Sequence, residues 1–349
     1  KMSLRFCVSR PNLLFQGKRF FAGNPMTDEA RNLKLFLNTP LVESAPLSKL
    51  LGCPVSLKLD CFQPSGSFKD RGMAHLAISL RDQGATKLIS SSGGNAGLAI
   101  TSVGAALGMN VQVIVPESTK EVIKTKIESL GADVRVHGAN WNAADELARS
   151  LVAADPHAEY VSPFDHPMLW QGHSSLIDEL VAEMKPPSHI VVSVGGGGLL
   201  CGVLEGLRRV EGWHEVGVVA TETDGAASFY GAWQSEPSSK TFSLDSIDSI
   251  ATSLGARQVT PEALDRAEAH KGSFDSVKCT DAEVVDTIVQ FANDHKILVE
   301  PACAASLALA YVPRLRNRLA GASHVVFEVC GGSGVSLELI EQWKQLSAK

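Results

Sequence analysis

A chain of 349 residues, 44% hydrophobic and 20% charged, is too long for one compact core, so two domains sharing a cleft are expected. Its formal net charge of −6 argues against a polyanionic partner, because nucleic-acid binders concentrate Lys and Arg on one face, and no DNA or RNA function is expected. No run reaches the roughly 18 consecutive apolar residues of a membrane span, and the most apolar stretch, 190–204, is interrupted by Gly195-Gly196-Gly197-Gly198; no membrane association is predicted.

The first segment, residues 1–28, is basic: Lys1, Arg5, Arg10, Lys18 and Arg19 all precede the first acidic residue, Asp28. Such a start resembles an organelle presequence and fits a plain basic tail equally well. The seven cysteines (Cys7, Cys53, Cys61, Cys201, Cys279, Cys303, Cys330) are scattered, with no C-x-x-C pair, and predict free thiols in a reducing compartment. The cytoplasm is expected, with the mitochondrion as the alternative suggested by the leader.

Beyond the leader, short apolar runs alternate with helical stretches. The runs 87–91, 111–116, 133–136, 189–194, 216–221 and 325–330 are continuously apolar instead of alternating, the pattern of strands buried on both faces of a parallel sheet. Helices are predicted over 95–107, over 120–130 before Gly131, and over 143–154 before Pro156. Breaks fall around 163–167 and at Lys185-Pro186-Pro187. The fold class is therefore α/β, with a smaller, mobile domain over 66–164 and a larger one from 29–65 and 165–349. No internal repeat is present.

Four segments carry the chemistry. In Pro64-Ser65-Gly66-Ser67-Phe68-Lys69-Asp70-Arg71-Gly72, Lys69 follows a turn and is predicted in the first turn of a helix, where desolvation lowers a lysine's pKa and frees its amine. Any single lysine is far more often a solvated side chain; the neighbouring motifs reverse those odds. Ser91-Ser92-Gly93-Gly94-Asn95-Ala96-Gly97 is a strand-to-helix junction whose backbone amides and Ser92 hydroxyl suit a carboxylate, while the Asn95 amide suits a ring hydroxyl. The same residues would serve as a plain helix cap.

Gly195, Gly196, Gly197 and Gly198 follow a strand and precede a helix predicted to start near Leu199. Their amides and the helix N-terminus can hold a phosphate without Lys or Arg, against the ordinary alternative of a tight turn. The dinucleotide pattern G-x-G-x-x-G fails at Leu200, and no G-x-x-x-x-G-K-[ST] exists, so nicotinamide and P-loop readings lose support. Cys330, before Gly331-Gly332-Ser333-Gly334, is a weak donor that can face a ring nitrogen but cannot keep it protonated as a carboxylate does; the commoner fate of such a residue is a core thiol.

In this order the four segments resemble the pyridoxal-phosphate (PLP) enzymes of fold type II (tryptophan synthase β-like), over about residues 39–337. Within that family, Ser67-Phe68-Lys69, the cradle Ser193-Val194-Gly195-Gly196-Gly197-Gly198-Leu199-Leu200-Cys201-Gly202, Glu300-Pro301-Ala302-Cys303 and Cys330-Gly331-Gly332 look most like the eukaryotic L-serine dehydratases/L-threonine deaminases. The resemblance implies two open twisted, mostly parallel sheet domains with the PLP cleft between them. It implies Lys69 as the catalytic residue and covalent cofactor link, with Phe68 packing on the ring and Asn95 on its 3′-hydroxyl. It gives Gly195, Gly196, Gly197, Gly198 and Leu199 to the phosphate and Cys330 to the ring nitrogen. It also assigns Ser92, Gly93, Gly94, Asn95 and Ala96 to the substrate carboxylate. A monovalent cation, K+ above all, is implied near the cradle, with Glu222, Ala226, Ser228, Leu254 and Ala256 as ligands; the ordinary role for Glu222, after a buried strand, is a helix cap or surface acid.

The implied activity is α,β-elimination from hydroxyl amino acids: L-serine to pyruvate and ammonia, and L-threonine to 2-oxobutanoate. A homodimer is expected. Two residues depart from the dehydratase pattern: Asp70, since Asp70-Arg71 also occurs in threonine synthases whereas Ile-Arg is commoner in dehydratases, and Gly93, which replaces an Ala. The alternatives left open are a serine racemase or threonine synthase-like enzyme, or a weakly active PLP-binding amino-acid sensor. The short stretch after Cys330 predicts no C-terminal regulatory domain.

Overall fold

Ten strands and the helices between them build two sheets in the structure, a computed structural model that describes residues 25–235 and 238–347. The strands are β1 (Leu41–Glu43), β2 (Val55–Lys58), β3 (Lys87–Ser90), β4 (Asn110–Val115), β5 (Asp133–Val136), β6 (Ala158–Tyr160), β7 (His189–Ser193), β8 (Gly217–Thr223), β9 (Phe274–Cys279) and β10 (Val325–Glu328). Six form one sheet in the order β1-β2-β10-β7-β8-β9, and four form the other, β5-β4-β3-β6. Every pairing is parallel except β1 with β2. The chain leaves the larger sheet after β2, builds the smaller one, and returns at β7.

Most of the apolar runs become central strands because helices cover both faces: β8 and β10 are buried along their whole length. The run 133–136 does not: Asp and Arg alternate with its two valines, and β5 is a mostly exposed edge strand. Each of the six predicted strands is present, with ends displaced by up to two residues. Four more, β1, β2, β6 and β9, lack a long apolar run. The helix predicted over 143–154 starts earlier, at Trp141, because the Asn140 side chain caps it by accepting from the Ala143 amide at 3.1 Å. The helix predicted over 120–130 is Glu121–Ser129, closed by Gly131 at φ +98°.

The expectation for residues 1–28 lies outside the described residues as far as position 24; from Pro25 to Asn32 the chain is helical. Among the described residues no helix is long and apolar enough to cross a membrane. All six described cysteines are free thiols.

Candidate functional site

Lys69 opens the helix Lys69–Asp82, and the turn before it is sewn to the loop after β10. Gly66, at φ +90°, reverses the chain, and the Asp70 carboxylate fastens the turn by accepting from the Ser65 amide at 2.7 Å. The Phe68 amide donates to the Cys330 carbonyl at 3.1 Å and the Gly332 amide to the Gly66 carbonyl at 2.8 Å. Two motifs more than 260 residues apart are thereby held side by side.

The Lys69 ammonium group donates to the Pro163 carbonyl at 2.6 Å and lies 5.0 Å from the Phe68 ring centroid. Burial of the amine brings its pKa down to about 8, although Cys330 and Glu300 pull the other way. Phe68 in turn rests on His173, with ring centroids 5.0 Å apart.

The glycine run turns β7 into the helix Gly198–Arg209, one residue earlier than predicted. Gly197 takes φ +92°, and a Cβ at Gly196 would lie 2.2 Å from the Phe164 ring, so side chains are excluded from this turn. Leu199 is buried in the first turn of the helix. Phe164, which covers the cradle, carries no signal of that role in the sequence.

The loop from Ser92 to Ala96 joins β3 to the helix Asn95–Ala106. Its tightness comes from Gly97, where a Cβ would lie 1.8 Å from the Ser92 carbonyl. The Gly94 amide approaches the Ser92 hydroxyl at 3.4 Å. Gly93 has no such backbone constraint: a Cβ there would meet only side chains, Val115 Cγ1 at 3.0 Å and Thr119 Cγ2 at 3.1 Å.

Asn95 is engaged more fully than its expected role foresees. Its Nδ2 donates to Glu300 Oε1 at 2.8 Å, and its Oδ1 accepts from the Ser333 amide at 2.9 Å and hydroxyl at 3.1 Å. Cys330 lies two residues beyond the end of β10 instead of terminating it. Its thiol is almost completely buried, and a hydrogen bond with Cys303 together with burial pushes its pKa well up. It is a neutral thiol, consistent with a weak donor.

Of the implied cation ligands, Glu222, Ala226 and Ser228 lie together at the end of β8, whereas Leu254 and Ala256 belong to a separate loop that touches the glycine turn. Glu222 lies inside β8, not after it. Its two oxygens accept from the Phe229 amide at 2.9 Å and the Tyr230 amide at 2.6 Å, capping the helix Ser228–Gln234. Burial raises this carboxyl to about 8. The Ser228 hydroxyl is buried with no protein partner, and Ala226 ends the intervening 3-10 turn. The Leu254 carbonyl accepts from the Ala256 amide at 2.7 Å, and Leu254 Cα lies 3.0 Å from where a Gly195 Cβ would be.

The residues fit PLP: a half-buried amine of lowered pKa, a glycine turn and a neutral thiol are linked by short contacts, Lys69 to the Pro163 carbonyl, the adjacent Phe164 to Gly196, and the Phe68 amide to the Cys330 carbonyl. The comparisons agree. Residues 33–331 match the family model described as pyridoxal-phosphate dependent enzyme. The human L-serine dehydratase/L-threonine deaminase is 41% identical over 318 residues, covering 89% of this chain and 95% of that protein. The human serine dehydratase-like protein is 39% identical, covering 92% and 97%. A solved fungal L-serine ammonia-lyase from Rhizomucor miehei superposes with a TM-score of 0.82 at 34% identity, covering 89% of this chain and 98% of that one. The chain belongs to the pyridoxal-phosphate dependent enzymes, in the fold type II architecture that its two parallel sheets display.

Proposed function

We propose that this protein is a PLP-dependent ammonia-lyase that converts L-serine to pyruvate and ammonia, and L-threonine to 2-oxobutanoate and ammonia. The observation that carries the reading is the Lys69 amine, lowered to about 8 by burial and bonded to the Pro163 carbonyl at 2.6 Å, next in the chain to Phe164, whose ring packs against Gly196 of the glycine turn. The family membership and the names of the relatives support it.

Lys69 would hold the cofactor covalently, with Phe68 beside its ring, Asn95 at its hydroxyl, Cys330 at its ring nitrogen, and Gly195, Gly196, Gly197, Gly198 and Leu199 around its phosphate. When bound, PLP supplies an electron sink for charge developing at the amino-acid Cα. The chain's own contribution begins with orientation: the amides from Ser92 to Ala96 and the Ser92 hydroxyl take the substrate carboxylate. As a free amine, Lys69 Nζ would remove the Cα proton as general base. The neutral Cys330 thiol supplies no negative charge to the ring nitrogen, which favours prompt loss of the β-hydroxyl over transamination.

Borohydride trapping followed by peptide mapping tests the covalent link, and pyruvate formation from L-serine tests the reaction. The adduct is expected on Lys69, and Lys69→Ala is expected to abolish pyruvate formation; an adduct on another residue overturns the reading.

Four further assignments accompany it. A monovalent cation, K+, is assigned to Glu222, Ala226, Ser228, Leu254 and Ala256, supported by the buried carboxyl and the unpartnered Ser228 hydroxyl. Residues 66–164 are assigned as the small mobile domain, supported by the four-stranded sheet within them. A homodimer is the assigned assembly. The cytoplasm is the assigned compartment, supported by free thiols.

A further inference from the structure

The motif Glu300-Pro301-Ala302-Cys303 has no role in the chemistry above, yet Glu300 occupies the middle of the site. It precedes Pro301 at the start of the helix Pro301–Tyr311 and is 4% exposed. Its carboxylate accepts from Asn95 Nδ2 at 2.8 Å and from the Gly334 amide at 3.2 Å. The glycines after Cys330 make room for it: at Gly332, φ +119°, a Cβ would lie 1.9 Å from Glu300 Cδ.

We propose that Glu300 is a positioning residue, one that fixes the orientation of the Asn95 side-chain amide and latches the helix Asn95–Ala106 to the six-stranded half of the molecule. An amide has one acceptor oxygen and two N–H donors. Ser333 takes the oxygen through both its amide and its hydroxyl, and Glu300 takes one N–H. The remaining donor has only the long 3.4 Å contact with the Ser253 hydroxyl, which a ring hydroxyl can displace. A flipped amide would place its oxygen against the Glu300 carboxylate, so Glu300 ensures that Asn95 meets a ligand with a donor. Asn95 begins a helix of the four-stranded unit, whereas Glu300 and Ser333 belong to the other, so the same contacts hold the substrate loop closed.

The functional half of this proposal rests on the reading of Asn95 and its loop as ligand-binding, and the test separates the two. Amide hydrogen exchange is measured on the protein without cofactor or substrate, and KM and kcat for L-serine on the PLP-loaded enzyme. Loss of a charge-assisted hydrogen bond changes an equilibrium by about tenfold or more, so Glu300→Ala should speed exchange over 95–100 by about tenfold, with 198–209 unchanged. KM should rise by about tenfold with kcat altered less than about threefold. Glu300→Gln retains an acceptor for Asn95 and should restore most of both. Glu300→Asp keeps the charge but withdraws it by one methylene; it should shift both readouts in the same direction, and it decides the question if the Ala variant does not fold. Wild-type exchange in a folded Ala or Asp variant overturns the latch. Faster exchange with unchanged KM overturns the positioning role.

Discussion

At pH 7 an amine with its pKa near 8 is neutral in about one molecule in ten, against about one in three thousand at an ordinary lysine's 10.5. Burial thus raises the reactive fraction of Lys69 by roughly 300-fold. The rate of PLP capture by cofactor-free protein should therefore rise between pH 7 and 9 and level off with a midpoint near 8; stopped-flow absorbance reads it, and a rate still climbing steeply above pH 9.5 contradicts the lowered pKa. At the other end of the ring, Cys330→Asp should let the ring nitrogen stay protonated. More transamination and less pyruvate are expected, and an unchanged partition removes the role given to the thiol. Lys69 was legible only through the company it keeps, because the three other glycine-rich segments follow it in the order of one cofactor site. Glu300, Pro163 and Phe164 were not, because each acts on a partner far away in the chain, through contacts that only the folded packing creates.

At the scale of elements, the site is two strand-to-helix turns whose glycines are not equivalent. Gly97 and Gly196 would put a Cβ 1.8 Å from the Ser92 carbonyl and 2.2 Å from the Phe164 ring, so neither turn accommodates alanine unchanged. Gly196→Ala should weaken PLP affinity by about tenfold or more, through displacement of the phosphate-facing amides, as read by fluorescence titration. Gly93→Ala meets only side-chain atoms, the Val115 and Thr119 methyl groups at 3.0 and 3.1 Å and the Thr119 hydroxyl at 3.3 Å, and its melting temperature should stay within a few degrees of wild type. If Gly196→Ala binds PLP as wild type does, the cradle assignment fails. The same scale shows which strands a sequence reveals. Runs such as 189–194 are buried on both faces, with four of six residues aliphatic. The polar Phe274–Cys279 lies at the sheet edge, and Leu41–Glu43 is three residues long and mostly exposed. Their assignment depends on partners, β8 and β2, that periodicity alone does not supply.

The whole molecule depends on what lies beneath the Lys69 helix. Asp70, the departure from the Ile-Arg pair of the dehydratase pattern, has a structural explanation, since it fastens the turn; Arg71 beside it, fully buried, ties three segments together. Its guanidinium donates to both Asp60 oxygens at 2.7 and 2.8 Å and to both Glu179 oxygens at 2.7 and 2.8 Å. Lys58 also reaches Glu179, at 2.9 Å, which leaves Asp60 as the group with most to lose. Removing one partner of a buried ion pair costs about 3–5 kcal/mol, because the other charge stays behind; that is a large part of the total stability of a typical domain, about 5–15 kcal/mol. Arg71→Met should lose about that much in urea unfolding. The pH dependence identifies the cause. In the wild type, burial pushes the Asp60 carboxyl up, but the Arg71 ion pair and hydrogen bonds outweigh it and hold it below its usual value of 3.8. Its contribution is therefore constant from pH 7 to 5 and is lost only on further acidification. Without Arg71, burial dominates and the Asp60 pKa rises, so the folded variant binds a proton that the unfolded chain releases, and its stability falls as pH rises. The stability gap between variant and wild type should consequently narrow from pH 7 to pH 5. A gap that stays constant over that range would mean that the lost stability comes from packing and not from a stranded carboxylate.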